Sequence, residues 1–242
     1  MKLRLILSLW MALAVSALAA EAPKTKVLLI TGGHGFATNE FLKVFTENPQ
    51  ITLTHANHAK GTASAYDRED LFDYDAVVLY DMPKEISDAQ KTRFVTLTEK
   101  GIGLVVLHHA LVSYQHWPDY ERIIGGRYPE ADGKGGVVTD NVGYEHDVKY
   151  QVHILEKDHP VTKDVGDFDI HDEIYWGFRT GRDIKPLITT DHPKSGKPLA
   201  WERTEGKSRI IYLQLGHGPE AFANPNYRKV VALSIQYVSR RK

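Results

Sequence analysis

Residues 101–117, GIGLVVLHHALVSYQHW, decide the fold of this chain. The apolar run 104–107 has the length and character of a strand that is buried on both faces, as in a parallel sheet covered by helices. The run ends at His108 and His109. Since ligands of such sheets bind at the carboxyl ends of the strands, the position of this pair indicates a functional site.

The sequence on the amino-terminal side repeats the pattern of a strand followed by a helix. Apolar or alternating runs predict strands in KVLLITGGHGF (26–36), ITLTHA (51–56) and DYDAVVLYDMP (73–83). NEFLKVFTE (39–47) and SDAQKTRFVTLTEKG (87–101) predict helices, the second with a Ser87/Gln90 capping box and Gly101 just past its end. We therefore predict an α/β fold with a flavodoxin-like, doubly wound, mostly parallel sheet flanked by helices.

The carboxyl-terminal half predicts short added strands and a closing helix. The strand segments are KYQVHILE (149–156), EIYWGF (173–178), KPLITTD (185–191), PLAWER (198–203) and RIIYLQLG (209–216), and the helix is PNYRKVVALSIQYVSRR (225–241). Their spacing indicates antiparallel additions or a sheet edge. The polar, glycine-rich segment 125–144 is longer than an ordinary connection, which is typical of a site-covering lid or of disorder.

Composition narrows the class of protein. Residues 1–19 have the basic start, apolar middle and small-residue end of a signal peptide, so we expect a periplasmic or secreted bacterial protein with one domain over 20–242 and no membrane attachment after cleavage. The 30 Lys and Arg balance 31 Asp and Glu, so we expect no nucleic-acid partner. The absence of Cys excludes disulfides and cysteine chemistry. The composition does not reveal the oligomeric state.

Four strand ends place polar residues where a site would form. His34 follows the first strand, His108 the fourth, Asp172 and Glu173 open an aromatic strand, and His217 lies between two glycines after the last. Metal ligation by His34, His108, His217 and Glu173 would suit Zn, Mn, Fe or Ni, and an acid–base pair without metal is the alternative. His109 is interpreted as a structural neighbour, because successive strand side chains face opposite ways.

Other motifs are weaker. TGGHGF lacks the Lys-Ser/Thr of a P-loop and the third glycine of a dinucleotide fingerprint, so we expect no nucleotide cofactor. Flat aromatic rings beside polar groups suit sugar rings, although Trp and Tyr also pack in cores. The aromatic candidates for substrate binding are Tyr114, Trp117, Tyr175, Trp176 and Trp201. The roles of His146 and His171 stay open.

These motifs together resemble the trehalose-utilisation (ThuA-like) family, which has a class I glutamine amidotransferase-like fold. The matching segments are TGGHGF, VVLHHA, YERIIGGRY, DHPVT, DFDIHDEIYW, LAW and RIIYLQLGH, in that order over nearly the whole mature chain. The family's strand-four histidine falls on His108, and His217 with Glu220 resembles the late His element of amidotransferases. Without a Cys nucleophile, glutamine hydrolysis through a thioester is excluded.

The resemblance implies carbohydrate metabolism, in particular sugars oxidised at one ring hydroxyl. A keto-sugar has an acidified C–H beside its carbonyl, so a metal on the carbonyl and a base such as Glu173 or Asp172 would suffice for isomerisation, elimination or hydration. We therefore expect His108, Asp172, Glu173 and His217 to be catalytic. The alternatives are a non-catalytic periplasmic sugar-binding module and a metal-dependent hydrolase of acyl substrates.

Overall fold

The computed structural model describes residues 23–129 and 141–239. The predicted signal peptide lies outside these residues, and so does the middle of the 125–144 segment, so the signal peptide and the lid stay predictions. Within the described ranges no helix has the length and hydrophobicity needed to cross a bilayer.

Helices and strands alternate in the first half of the chain, and strands dominate the second half. In chain order the elements are β1 (Thr25–Gly32), α1 (Thr38–Thr46), β2 (Ile51–Asn57), a 3₁₀ helix (Ser64–Asp67), β3 (Ala76–Asp81), α2 (Asp88–Lys100), β4 (Gly103–Leu107), a second 3₁₀ helix (His108–Val112), α3 (Pro118–Ile124), β5 (Gly126–Arg127), β6 (Gly143–Ile154), β7 (Phe168–Trp176), β8 (Arg179–Thr180), β9 (Lys185–Thr190), β10 (Ala200–Glu205), β11 (Ser208–Leu213), α4 (Pro219–Ala223) and α5 (Pro225–Ser239).

The main sheet has the order β2-β1-β3-β4-β11-β10-β9-β6-β7. The first five strands are parallel, which is the flavodoxin-like order, and confirms the predicted fold. The other four continue the sheet with antiparallel pairing, as predicted for the added strands. The last predicted strand differs: β11 belongs to the parallel core, because Ile210–Leu213 pair in register with Leu104–Leu107 of β4.

The apolar runs are continuous because both sheet faces are covered. In β1, Val27 and Leu29 pack into one buried cluster with α1 and α5, whereas Leu28 and Ile30 pack into the other with α2 and α3. Alternate residues of a strand face opposite sides, so a strand between two helical layers needs apolar residues at every position.

The ends of α2 follow the predicted signals. The Ser87 hydroxyl accepts a hydrogen bond from the Gln90 N–H at 3.3 Å, and the Gln90 side chain accepts from the Ser87 N–H at 3.1 Å. Gly101 ends the helix with φ +78°, a left-handed conformation that glycine adopts at little cost. The chain then enters β4, which leads to the paired histidines.

A network of ion pairs connects α3 to the small β5–β8 sheet. Glu121 accepts from Arg127 Nε at 2.8 Å and from Arg179 Nε and Nη2 at 2.6 and 3.0 Å. The Arg127 side chain is only 6% exposed, so its buried positive charge needs this carboxylate as a partner. The hydrogen bonds from Arg179 hold the pKa of the Glu121 carboxyl below its usual range, with Arg127 adding to the effect.

We expect Glu121→Gln to lower the free energy of unfolding by about 1–3 kcal/mol at pH 7, because it leaves Arg127 without a charged partner. A carboxyl whose pKa is lowered by folding stabilises the folded state above the unfolded-state pKa of about 4.3. This stabilisation is lost as the pH falls below that value. Urea unfolding from pH 7 to pH 3 should show the difference from wild type shrink. The exposed Glu99→Gln is the control, and a difference independent of pH would contradict the prediction.

Candidate active site

The site forms where the carboxyl ends of the parallel strands meet the hairpin β6–β7. His108 lies at the end of β4 and His217 lies just beyond β11. Although β7 is four strands away from β11 in the sheet, the sheet curls so that Asp172 on β7 accepts from the Gly216 and His217 N–H groups at 2.7 and 2.8 Å. The edge hairpin therefore brings its own side chains to the strand ends.

His108 occupies a strained turn between β4 and the 3₁₀ helix. Its φ of +50° is rare for a residue with a side chain, and such strain is concentrated at functional sites. The ring is fully buried, and Nδ1 lies 2.6 Å from the Gln214 carbonyl oxygen. Because a carbonyl oxygen only accepts, Nδ1 donates a proton there, and Nε2 of the neutral ring presents a lone pair.

Three polar groups surround His108 Nε2. Glu173 Oε2 and the Tyr175 hydroxyl each lie 2.9 Å away, and His217 Nδ1 lies 3.1 Å away. A lone pair and a carboxylate oxygen repel each other at this distance unless a cation lies between them, either a proton or a metal ion. The donor set of His108, Glu173 and His217 fits a metal, since one ligand atom from each lies within 4.8 Å of the others.

Glu173 is the centre of the charged cluster. In addition to its contact with His108, Oε2 lies 3.1 Å from His217 Nδ1, while Oε1 lies 3.1 Å from His146 Nδ1. Burial alone would raise the pKa of the Glu173 carboxyl, but the interactions with His108 and His217 outweigh it and hold this pKa well below the usual range. The hydrogen bond to Glu173 in turn raises the pKa of His217.

His146 belongs to the site, although the sequence left its role open. The pairing of β6 with β7 shifts between Glu145 and Val148, and Asp147 has φ +59°, so a β-bulge lies here. Bulges re-aim side chains beside active sites. This bulge directs His146 at Glu173, with its ring centre 4.6 Å from that of His217. No turn residue or periodicity marks the bulge in the sequence. His171, also left open, lines a different surface depression.

A cavity of about 460 Å³ opens beside this cluster, within the range of small-molecule sites. Its polar lining comes from His34, His109, His146, Glu173 and His217. The rest of its wall is Met82, Val112, Tyr128, Pro129, Val142, Gly143, Tyr144, Tyr175 and Trp176. His108 is buried beneath it, so a ligand in the cavity meets Glu173 and His217 first.

Two predicted roles change at the polar residues. His34 lies on the cavity wall with its ring centre 6.3 Å from that of His217, outside the group of three close ligand atoms, so the four-ligand metal set reduces to three. The buried Asp172 uses both carboxylate oxygens on backbone N–H groups, which makes it a positioning residue and not a proton carrier.

His109, which the sequence indicated to be a structural neighbour of His108, also lies on the cavity wall. The ring packs between His34 and Tyr80 in tilted contacts, with ring centres 4.7 and 4.2 Å away. Strand alternation does not separate it from His108, because the chain has already left β4 for a 3₁₀ helix. Burial lowers the pKa of His109 well below its usual range, so the ring is neutral.

Three of the five aromatic candidates are core residues. Tyr114 and Trp117 pack around Tyr120, and Trp201 stacks on Tyr212 while its indole N–H donates to the Ile124 carbonyl at 2.9 Å. Large rings filling the layer between sheet and helices are the ordinary alternative, and they explain these positions. Tyr175 and Trp176 line the cavity.

We expect Asp172→Asn to lower the free energy of unfolding by about 1–3 kcal/mol. The Asn oxygen can still accept from one of the two backbone N–H groups, but the other N–H would face the side-chain NH₂ group, which cannot accept a hydrogen bond. Urea unfolding measures the loss, and amide NMR shifts of Gly216 and His217 locate it. The matched control is the exposed Asp169→Asn on the same strand. Equal midpoints for the two variants would contradict the positioning role.

Comparison with known proteins gives the same fold. A ThuA-like protein from Parabacteroides merdae ATCC 43184 superposes with a TM-score of 0.77 at 19% identity, over 89% of this chain and 90% of that chain. One from Bacteroides uniformis ATCC 8492 has a TM-score of 0.69 at 22% identity, over 92% and 94%. The beta-galactosidase from Rahnella sp. R3 matches at 0.57 and 15% identity, over 88% of this chain but 32% of its own.

No curated protein matches the sequence significantly. The family model described as "ThuA: Trehalose utilisation" matches residues 26–238, which include the strands and helices from β1 to α5 except for the first residue of β1 and the last residue of α5, and all residues of the cluster. Since this match covers most of the chain, and two structural neighbours are ThuA-like proteins, the protein belongs to the ThuA family.

Proposed function

We propose that the protein is an exported carbohydrate-processing enzyme that binds a divalent transition metal (Zn, Mn, Fe or Ni) and performs acid–base chemistry on a keto-sugar or keto-glycoside. The observation that supports this most is the convergence of His108 Nε2, Glu173 Oε2 and His217 Nδ1 beside the cavity. The carbohydrate context comes from the family. Export, to the periplasm or beyond it, is proposed from residues 1–19.

The donor set supports the metal. Two imidazoles and one carboxylate are the ligands of many catalytic zinc and non-haem iron sites, which keep positions open for substrate. The Gln214 carbonyl fixes the His108 tautomer so that Nε2 is the ligand atom. When bound, the metal would act as a Lewis acid that polarises the substrate carbonyl.

His146 is the best-placed residue to move the proton. Its Nδ1 lies 3.1 Å from Glu173 Oε1, so a neutral ring that turns Nδ1–H toward this carboxylate carries its lone pair on Nε2. The side chain is 50% exposed and lines the cavity. His146 thus replaces Asp172 and Glu173 as the proposed base, since Asp172 holds the backbone and Glu173 is the proposed ligand.

The proposed chemistry begins with removal of the proton on the carbon beside the carbonyl. In the isomerisation that proton is delivered to the former carbonyl carbon, while the hydroxyl proton of the neighbouring carbon moves to the former carbonyl oxygen, so the carbonyl shifts by one carbon. If the glycosidic C–O bond breaks instead, the electron pair of the C–H bond forms the new C=C bond, the departing oxygen takes a proton, and the keto-glycoside becomes an enone and an alcohol. Addition of water to such an enone is the corresponding hydration. All three reactions use the same base and the same polarised carbonyl.

We expect the mature chain, purified without chelator or nickel resin, to contain about one metal ion per molecule by inductively coupled plasma mass spectrometry. His108→Ala and His217→Ala should each remove it, because three protein ligands are the fewest that hold such an ion tightly. His171→Ala, on the same hairpin but outside the cluster, is the matched control and should keep it. If the folded wild-type protein takes up no metal even after attempted reconstitution, the proposed metal site is wrong.

We expect the enzyme to exchange the proton beside the carbonyl of a methyl keto-glucoside with solvent D₂O, followed by NMR. His146→Gln should lower kcat by roughly 10²–10⁴-fold while metal content stays unchanged, as for loss of a general base. The exposed His116→Gln is the control. Binding without exchange or turnover would favour the sugar-binding module, and turnover of p-nitrophenyl acetate alone would favour the acyl hydrolase.

A further inference from the structure

Asp172 is one of two side chains that hold the backbone before His217. The other is Tyr80, near the end of β3, whose hydroxyl lies 2.9 Å from the Gly216 carbonyl oxygen. A carbonyl oxygen only accepts, so the hydroxyl donates this hydrogen bond. The bond joins β3 to the turn that follows β11, across the strand β4 that lies between them in the sheet.

The peptide unit between Gly216 and His217 is therefore bonded at both ends. Its carbonyl oxygen accepts from Tyr80, and its N–H group, which belongs to His217, donates to Asp172 Oδ1 at 2.8 Å. The atoms of a trans peptide unit lie in one plane, with C=O and N–H pointing in opposite directions. Two hydrogen bonds from opposite sides therefore fix the orientation of this plane more tightly than either bond could alone.

Tyr227 of α5 encloses the same turn by packing. Gly216 has a φ of +108°, which residues with a side chain rarely adopt. A Cβ at this position would lie 2.3 Å from the Tyr227 hydroxyl oxygen, so Tyr227 occupies the space of a side chain. Among the residues that the structure describes, this buried hydroxyl has no hydrogen-bond partner. Tyr227 thus packs against the turn, whereas Tyr80 bonds it.

The Tyr80 hydroxyl is itself held in place by packing. The ring is only 1% exposed and stacks on Phe41 of α1, with ring centres 3.9 Å apart. On another side it contacts His109 of the cavity wall at 4.2 Å between ring centres. Because protein interiors are close-packed, a ring enclosed in this way keeps one position. The hydroxyl therefore acts as a rigid donor to the turn.

The orientation of the turn matters because of the His217 atom that faces the cluster. Nδ1 lies 3.1 Å from Glu173 Oε2 and 3.1 Å from His108 Nε2. Nδ1 is the ring nitrogen closer to the backbone, so a rotation of the Gly216–His217 peptide displaces it from Glu173. Metal sites tolerate only small deviations from the ideal ligand distances. A donor that fixes this peptide therefore also fixes a proposed metal ligand.

We propose that Tyr80 is a positioning residue for His217, whose hydroxyl fixes the preceding peptide so that Nδ1 points at Glu173. This inference rests on the proposed function, because it takes Nδ1 as a ligand of the bound metal. Loss of a group that orients a metal ligand through a hydrogen bond typically lowers the metal affinity by about 10–100-fold. Tyr80 acts through the backbone and not on the ring itself, so we expect the lower end of this range.

The test compares Tyr80→Phe with Tyr227→Phe. Both substitutions remove a buried hydroxyl beside Gly216 and keep the ring, but only the first removes a hydrogen bond. Zn²⁺ affinity is measured by competition with a chromophoric chelator, and only the binding that His217→Ala abolishes is counted. We expect Tyr80→Phe to weaken Zn²⁺ binding about tenfold and Tyr227→Phe to change it by less than about twofold.

A second readout does not require metal. In the metal-free protein, the NMR signals of the His217 ring should shift in Tyr80→Phe and keep their wild-type positions in Tyr227→Phe. Unshifted ring signals in Tyr80→Phe would overturn the inference, and so would a lower melting temperature with unchanged Zn²⁺ affinity, which is the mark of a purely structural role. If the wild-type protein binds none of the four proposed metals, the proposed metal site is wrong, whereas shifted ring signals would still support Tyr80 as the residue that positions His217.

Discussion

The buried carboxylate of Asp172 is the constraint on which the rest of the site depends. It joins the outer hairpin of the sheet to the backbone that follows β11, through two N–H groups at 2.7 and 2.8 Å. Burial raises the pKa of this carboxyl, and the bonds from Gly216 and His217 offset that effect only in part. A costly buried charge is thus retained at the point where two distant parts of the sheet meet.

This contact explains how a flavodoxin-like sheet acquires a composite site. In the parallel core alone, the strand ends would bring together His34, His108 and His217, while the carboxylate of Asp81 at the end of β3 is bound by His58 and Tyr114. The curled hairpin adds Glu173, whose Oε2 lies between His108 and His217. It also adds His146, which lies against the other carboxylate oxygen of Glu173. The bulge in β6 then determines that His146 faces the cluster instead of the solvent.

His108 occupies a strained elbow directly after β4, where the chain turns into a 3₁₀ helix. Here the elbow residue is an imidazole whose Nδ1 is committed to a backbone carbonyl, so it presents a lone pair at Nε2. With no Cys in the sequence, the fold supports chemistry that differs from thioester formation.

The parallel core, the ends of α2 and the strand-end histidines could be predicted from the sequence, because they depend on short-range periodicity and on local capping and turn chemistry. The sequence also pointed to Glu173 and Tyr175. The folded arrangement of the strands was needed to show that β11 lies inside the parallel core, that Asp172 bonds the backbone after β11 and that His146 lies against Glu173. It was also needed to show that Tyr114, Trp117 and Trp201 are core residues. These features depend on how strands far apart in the chain pair and curl, and side-chain spacing along one segment contains no information about that long-range register.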